Sequence, residues 1–194
     1  ILALSGIWLM GALISLIPWT SPAGKPLSVT LLQGNIPQAL KWDEAIAFQT
    51  INQYLSMSKQ AKGELVILPE TALPISVDTQ LQDASQDQVL SAFNTVAKEQ
   101  HKAILLGLVA KDKEAYFNSV LGLNSVDNRP QFYHKYHLVP FGEFIPLKAV
   151  FGWVYRDWLN MPLSDLSRGE KYQQPIQLAN QKIAVNICYE DVFG

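Results

Sequence analysis

Between residues 28 and 110 short apolar runs alternate with longer stretches of helical period, and no other feature of the 194-residue chain restricts its fold so strongly. SVTLLQGNIP predicts a buried strand over Val29 to Leu32 that leaves into a loop. Asp43 then stands where its carboxylate can cap a helix over residues 44 to 61, with Ala47, Ile51, Tyr54 and Leu55 on one face. ELVILPE predicts a second short strand ended by Pro69, and residues 84 to 100 a second helix on which Val89, Phe93, Val96 and Ala97 recur. AILLGLVA adds a third strand. A β-α-β-α-β order of this kind implies an α/β layer in which helices cover a sheet buried on both faces.

The second half of the chain changes pattern. YFNSVLGLN and QFYHKYHLV are strand-like runs separated by Asn124, Asp127, Asn128 and Pro130, which predicts a hairpin appended to the sheet. Residues 140 to 170 form an aromatic-rich stretch too long for a plain connection. Its Phe144, Ile145, Phe151, Trp153, Tyr155 and Trp158 suit either a lid over a substrate or ordinary packing under a long loop. QPIQLANQKIAVNICYE predicts a closing hairpin with Asn180-Gln181 at its turn.

Apolar residues make up 48% of the chain and charged residues 16%, and the apolar excess has an address in residues 1 to 17, ILALSGIWLMGALISLI. That run has neither charge nor proline, and its length sits at the lower edge of the roughly 17 to 25 residues that cross a bilayer as a helix. Pro18 stops it, and Trp19 falls where an interfacial aromatic anchors a span. The expected organisation is a partial transmembrane helix over residues 1–19, a turn-rich linker TSPAGKP over 20–26, and a folded domain over 27–194. Because the chain opens on Ile1 rather than Met, the span is expected to continue upstream. A secretory signal core and a buried helix are the alternatives. The net charge of -2, without clustered Lys and Arg, argues against a nucleic-acid partner. One cysteine leaves no internal disulfide.

That cysteine, Cys188, closes the last apolar run, and Glu70 closes the second. Active sites in open α/β sheets gather outside the carboxyl ends of strands, so the two side chains are candidates for one rim. A thiol becomes a strong nucleophile when a base takes its proton or a cation favours the thiolate. Glu70 suits the base, and Lys135 suits the cation. Singly, each has a plainer reading: a small core hydrophobe, a turn cap, a solvated strand lysine. His134 and His137 stand at i and i+3, which on a strand sends them to opposite faces, so no shared metal site is expected. Nothing beside Cys188 suggests a protease-type Cys-His pair.

Taken together, ELVILPETALP, FYHKYHLVPFGEFIP and AVNICYEDVFG resemble the Glu-Lys-Cys triad of the nitrilase superfamily, the carbon-nitrogen hydrolases. LLQGNIPQALKWDE, LPETALP, AYFNS, YHKYHLVPFGEFIP, SRGE and ICYED stand in the order found in the apolipoprotein N-acyltransferase family. The resemblance covers essentially the whole chain, and HLVPFGEFIP is its most specific element. It implies a nitrilase-like α-β-β-α sandwich, incomplete at the C-terminus because the chain stops six residues after Cys188, where such a domain continues. The chain is therefore expected to be a piece of a longer, multi-pass protein. The resemblance also implies roles: Glu70 as general base, Lys135 as the cation beside a tetrahedral oxyanion, Cys188 as nucleophile, and Glu143 as a supporting glutamate. Tyr189 and Glu190 match positions beside the nucleophile, Asn118 a further polar position of the site, and Trp42 an aromatic near the substrate entrance. No cofactor is implied.

The activity implied by that resemblance is transfer of an sn-1 acyl chain from a phospholipid donor, through a Cys188 thioester, to the N-terminal amine of an apolipoprotein acceptor. Such an enzyme works at the periplasmic side of a bacterial inner membrane, where its two-chain lipid substrate resides. Two alternatives remain open at this stage. One is a carbon-nitrogen hydrolase using the same triad on a small amide or nitrile; the other is a silent binding module in which Cys188 is only packed.

Overall fold

The computed structural model describes residues 2–22, 24–37, 41–126, 128–146 and 166–193. Helix α1 spans Leu2–Ser15, β1 Val29–Leu31, α2 Glu44–Gln60, β2 Leu65–Ile67, β3 Ser76–Asp78 and α3 Gln88–Glu99. They are followed by β4 Ala103–Asp112, β5 Ala115–Leu123, β6 Gln131–His134, β7 Ile176–Leu178 and β8 Gln181–Ile183. Six strands form one mixed sheet in the order β1-β2-β4-β5-β6, with β3 also paired to β4. The first three neighbours, β1, β2 and β4, run parallel; β5 and β6 continue antiparallel. The alternation of strand and helix therefore builds the parallel half, and the two strand-like runs after it build the antiparallel half.

Helices α2 and α3 form where their sequences permit. Asp43, extended at φ -72° and ψ 128°, accepts hydrogen bonds from the N–H groups of Ala45 and Ile46, satisfying donors that the first helical turn leaves unpaired. Replacing Asp43 with Ala should cost about 1 kcal/mol of stability, read as a lowered thermal midpoint. The helix expected over 84–100 is divided: a short 3-10 turn covers Ala84–Gln86, and α3 begins only at Gln88. Asp87 is the reason, because it adopts an extended conformation and its side chain caps Leu90 N–H.

The sheet is covered on both faces. Val66, Leu106, Leu108 and Ala110 pack with Leu90, Phe93, Val96 and Ala97 of α3 on one side. Leu65, Ala103 and Leu105 meet Ile176 and Leu178 of the β7–β8 hairpin on the other. Alternate residues of β4 thus enter different cores, as the period-2 geometry of a strand requires. Edge strand β1 departs from the expected burial: Val29 and Leu31 are exposed and only Leu32, beyond it, is buried. The closing hairpin turns at Ala179-Asn180, both at positive φ (51° and 58°), one residue earlier than Asn180-Gln181. Two glutamines bind the hairpin region to β6 with strand-like pairs. Gln131 exchanges two bonds with Gln177 (3.0 and 2.8 Å), and Gln173 does so with His134 (2.8 and 2.6 Å).

Strand β3 has no counterpart in the expected pattern, and it explains the shape of the functional rim. Leu65–Ile67 pair with residues 103–105 of β4, and Ser76–Asp78 pair with residues 109–111 of the same edge. Between them the chain leaves the ladder at Pro69, makes the Glu70-Thr71 turn over Gly107, and returns. Leu73 N–H donates to Gly107 O at 3.0 Å on the way back.

The expected partial transmembrane helix over residues 1–19 is not supported by the described residues. Among the described residues no helix is long and apolar enough to cross a membrane. Helix α1 has 14 residues, about 21 Å at 1.5 Å per residue. It ends at Ser15; Leu16 and Ile17 tighten into i→i+3 bonds to Leu13 and Ile14 immediately before Pro18, a residue whose predecessor is driven out of helical geometry.

Candidate active site

Glu70, Asn118, Lys135 and Glu143 converge although 73 residues of sequence separate the first from the last. Glu70 comes from the turn after β2, Asn118 from β5, Lys135 from the residue after β6, and Glu143 from the turn that follows. Lys135 Nζ lies 3.3 Å from Glu70 Oε1 and 2.9 Å from Glu143 Oε2. Its side chain is 1% exposed, against 34% for Glu70 and 13% for Glu143. The reading of Lys135 as a solvated strand residue is therefore excluded. Its backbone N–H extends the β5–β6 ladder to Asn118 O at 2.8 Å, which fixes the root of the side chain.

Asn118 Nδ2 donates to Glu70 Oε1 and to Glu143 Oε1, both at 2.6 Å. One amide thus bridges two carboxylates that would repel each other if left alone. Val139 N–H holds the other Glu143 oxygen at 2.8 Å. Burial pulls the Lys135 ammonium down, but the hydrogen bonds and negative charges of Glu143 and Glu70 outweigh it, and its pKa rises above the ordinary lysine value. A cation held this way stays charged across the neutral range.

Cys188 is exposed and shares a cavity of about 250 Å³ with Glu70, walled by Leu105, Val120, Ile183 and Val185. It does not end a strand: β8 stops at Ile183, and Cys188 opens a short 3-10 helix, Cys188–Phe193. Its φ is 50°, a left-handed conformation that non-glycine residues adopt at a cost. Glu190 holds that conformation. Ile187 N–H donates to Glu190 Oε2 at 3.0 Å while Glu190 N–H donates to Ile187 O at 3.1 Å. The same carboxylate, 4% exposed, accepts from Tyr136 N–H (2.7 Å), His137 N–H (3.1 Å) and the Tyr133 hydroxyl (2.9 and 3.0 Å). Glu190 therefore ties the loop bearing Cys188 to the loop bearing Lys135.

Tyr133 escaped the sequence reading because its role depends on a partner 57 residues away. Burial first, then the hydrogen bond and charge of Glu190, push its phenol far above the ordinary tyrosine range. A group held up in this way contributes fully below its unfolded value of about 10. Tyr133→Phe should thus cost about 2 kcal/mol at pH 7, measured by denaturant unfolding, with the difference shrinking only in strong alkali.

The remaining expected positions are more peripheral. Trp42 and Tyr189 are exposed; the Tyr189 ring lies edge-on to Phe193 at 5.2 Å. His134 and His137 do not share a strand, since β6 ends at His134. His134 Nδ1 pairs with Ser119 Oγ at 2.7 Å, and His137 stacks on Phe193 at 4.0 Å. Of the candidate lid, Ile145 is buried and Phe144 lies under the Arg168 guanidinium at 5.1 Å. Phe151, Trp153, Tyr155 and Trp158 lie outside the described residues, as does Asp127 of the expected hairpin turn.

This mixed sheet and its rim belong to a known class. The model of the carbon-nitrogen hydrolase family matches residues 28–194, and the chain belongs to that family. Within it, the chain is 42% identical over its full length to the apolipoprotein N-acyltransferase of Nitrosomonas europaea. It is 42% identical over 98% of its length to that of Chromobacterium violaceum, and 41% over 92% to that of Ralstonia nicotianae. It spans 38%, 35% and 33% of those three proteins respectively.

Proposed function

We propose that the protein is an acyltransferase that moves an sn-1 acyl chain from a phospholipid to the N-terminal amine of diacylglyceryl-cysteine in an apolipoprotein, the last step of lipoprotein maturation. The observation that carries this reading is the buried Lys135–Glu70 ion pair at 3.3 Å, on the rim of the apolar cavity that Glu70 shares with exposed Cys188. The names of the similar proteins support the apolipoprotein acceptor and N-acylation; the phospholipid donor follows from the family resemblance of the site stretches.

In this reading Glu70 accepts the Cys188 thiol proton, and the sulfur attacks the ester carbonyl. Lys135, with two of its three N–H donors on carboxylates, offers charge to the oxyanion. The C–O bond breaks, Glu70 returns the proton to the leaving lysophospholipid alcohol, and an acyl thioester remains. The acceptor amine then attacks the thioester carbonyl, losing its proton to Glu70. Collapse forms the amide, expels sulfur and restores the thiol, giving ping-pong kinetics. Glu143 and Asn118 hold the pair, Glu190 holds the nucleophile loop, and Trp42 and Tyr189 meet substrate.

We place this chemistry at the periplasmic face of a bacterial inner membrane, with residues 1–19 as the membrane-associated segment, 20–26 as linker and 27–194 as the domain. Support comes from α1, whose Ile7, Trp8, Leu9 and Leu13 are exposed. A two-chain lipid barely leaves its bilayer, since each buried methylene is worth about 0.8 kcal/mol, so the enzyme must meet it there. We also take the β7–β8 pair as the beginning of the second sheet of an α-β-β-α sandwich.

The test is the mass of the Cys188 peptide after the full-length protein is incubated with phospholipid alone. An added acyl mass on Cys188, discharged when an apolipoprotein peptide is supplied, is expected. An unmodified Cys188 with ammonia released from simple amides would transfer the triad to amide hydrolysis and end the proposal.

A further inference from the structure

A second lysine reaches the turn that carries Glu70. Lys41, in the segment ahead of α2, places its ammonium 3.2 Å from Glu70 O and in a short bond to Thr71 Oγ1. Thr71 sits at φ 42°, left-handed and uncommon for a β-branched residue. That turn lies in the gap between β2 and β3, outside the stretches paired with β4. The groups facing the Glu70 carboxylate are Asn118 from β5, Lys135 after β6, Glu143 behind both, and Cys188 across the cavity. As ions, Glu70, Glu143 and Lys135 leave one negative charge in a partly dry site, and among the described residues Lys41 is a further cation whose charge acts on Glu70.

We infer that Lys41 is a positioning residue for Glu70: it pins the strained Glu70-Thr71 turn and completes the charge balance around the base. The amine is half-buried beside a cavity of about 190 Å³ whose lining includes Gln33, Asn35, Ile36, Tyr54, Pro69 and Glu70. Burial pulls its pKa below the ordinary lysine range, and the nearby Glu70 charge opposes that shift. Lys41 also roots the neighbouring Trp42, so the residue proposed at the substrate entrance is tied to the base through one side chain.

The inference rests on Glu70 acting as the base, and its test uses a readout independent of the natural substrates. In full-length protein, the rate of Cys188 alkylation by iodoacetamide is followed against pH by peptide mass, for wild type, Lys41→Met, Lys41→Gln and Lys41→Arg. Removing a cation disfavours both the carboxylate and the thiolate, so the acid limb in the Met and Gln variants should move up by about one pH unit. Alkylation on that limb should then fall about tenfold, while Arg keeps the limb near wild type. Gln retains hydrogen-bonding capacity and reads the charge even where Met does not fold. Slower alkylation in both neutral variants with an unmoved limb would reduce Lys41 to a structural prop and overturn the inference. A wild type with a normal limb that takes no acyl chain from phospholipid would instead remove the donor assignment and leave Lys41 standing.

Discussion

Lys135→Met in the full-length protein is expected to slow acyl-thioester formation on Cys188 by about 10² to 10³-fold, the usual effect of deleting a preorganised oxyanion donor. Stability should fall as well. The side chain is 1% exposed and neutralises two carboxylates, so Met would leave Glu70 and Glu143 facing each other through Asn118 with no cation between them. Breaking a buried pair from one side costs about 3 to 5 kcal/mol, and the partial exposure of Glu70 places this case near the lower figure. The pH dependence separates the electrostatic part from lost packing. Lys135 has a raised pKa, so in the wild type its contribution is fully present below the unfolded value of about 10.4 and is lost only as pH rises through the folded value. In the variant the crowded carboxylates bind protons more readily folded than unfolded, so stability should increase as pH falls from 8 to 5. Thermal midpoints across that range measure it; equal midpoints for variant and wild type would show that the ion pair contributes nothing.

Gly107→Ala should be almost as damaging, although Gly107 bears no chemistry. A Cβ there would lie 2.1 Å from Pro69 O, 2.8 Å from Thr71 N and 2.9 Å from Glu70 Cα. All three are backbone atoms of the turn that carries Glu70, and none can rotate away. Overpacking typically costs about 1 to 3 kcal/mol, and the rigid partners here put the expected value at about 3. The turn must lift, which moves Glu70 relative to Lys135 and Asn118. Misplacement of about 1 Å costs roughly 10²-fold in rate, so folded Gly107→Ala protein should form the Cys188 thioester about a hundred times more slowly. A variant with wild-type stability and rate would mean that the turn yields without consequence.

Much of the site was legible before any coordinates. Glu70, Lys135, Glu143, Glu190 and Asn118 stand in short stretches whose order resembles one family; four of them meet in space, and Glu190 ties the Cys188 loop to the residues after Lys135. What escaped were residues whose meaning is relational. Tyr133 and Lys41 are ordinary residues until the chain brings Glu190 and the Glu70-Thr71 turn to them. β3 was missed because a three-residue strand after two prolines carries no period, and it exists only because β4 has free edge to offer. Asp87 divided a predicted helix because a local side-chain cap competed with continuing the helix. The apolar N-terminal run forms a helix over Leu2–Ser15 that closes ahead of Pro18, because the last turn tightens before a residue that helical geometry excludes, which hydropathy alone does not show.

By itself the amino-acid order determined the alternation of strand and helix, the Asp43 cap and the apolar faces, because each follows from interactions among residues near in sequence. Only the tertiary structure decided that Glu70 turns over Gly107 in a gap between two strands, that Lys135 is buried between two carboxylates, and that Cys188 lies beyond the end of β8 in a loop locked by Glu190. Those outcomes depend on contacts between segments tens of residues apart, where close approach of backbones and the cost of burying unbalanced charge select one arrangement from many that local preference allows.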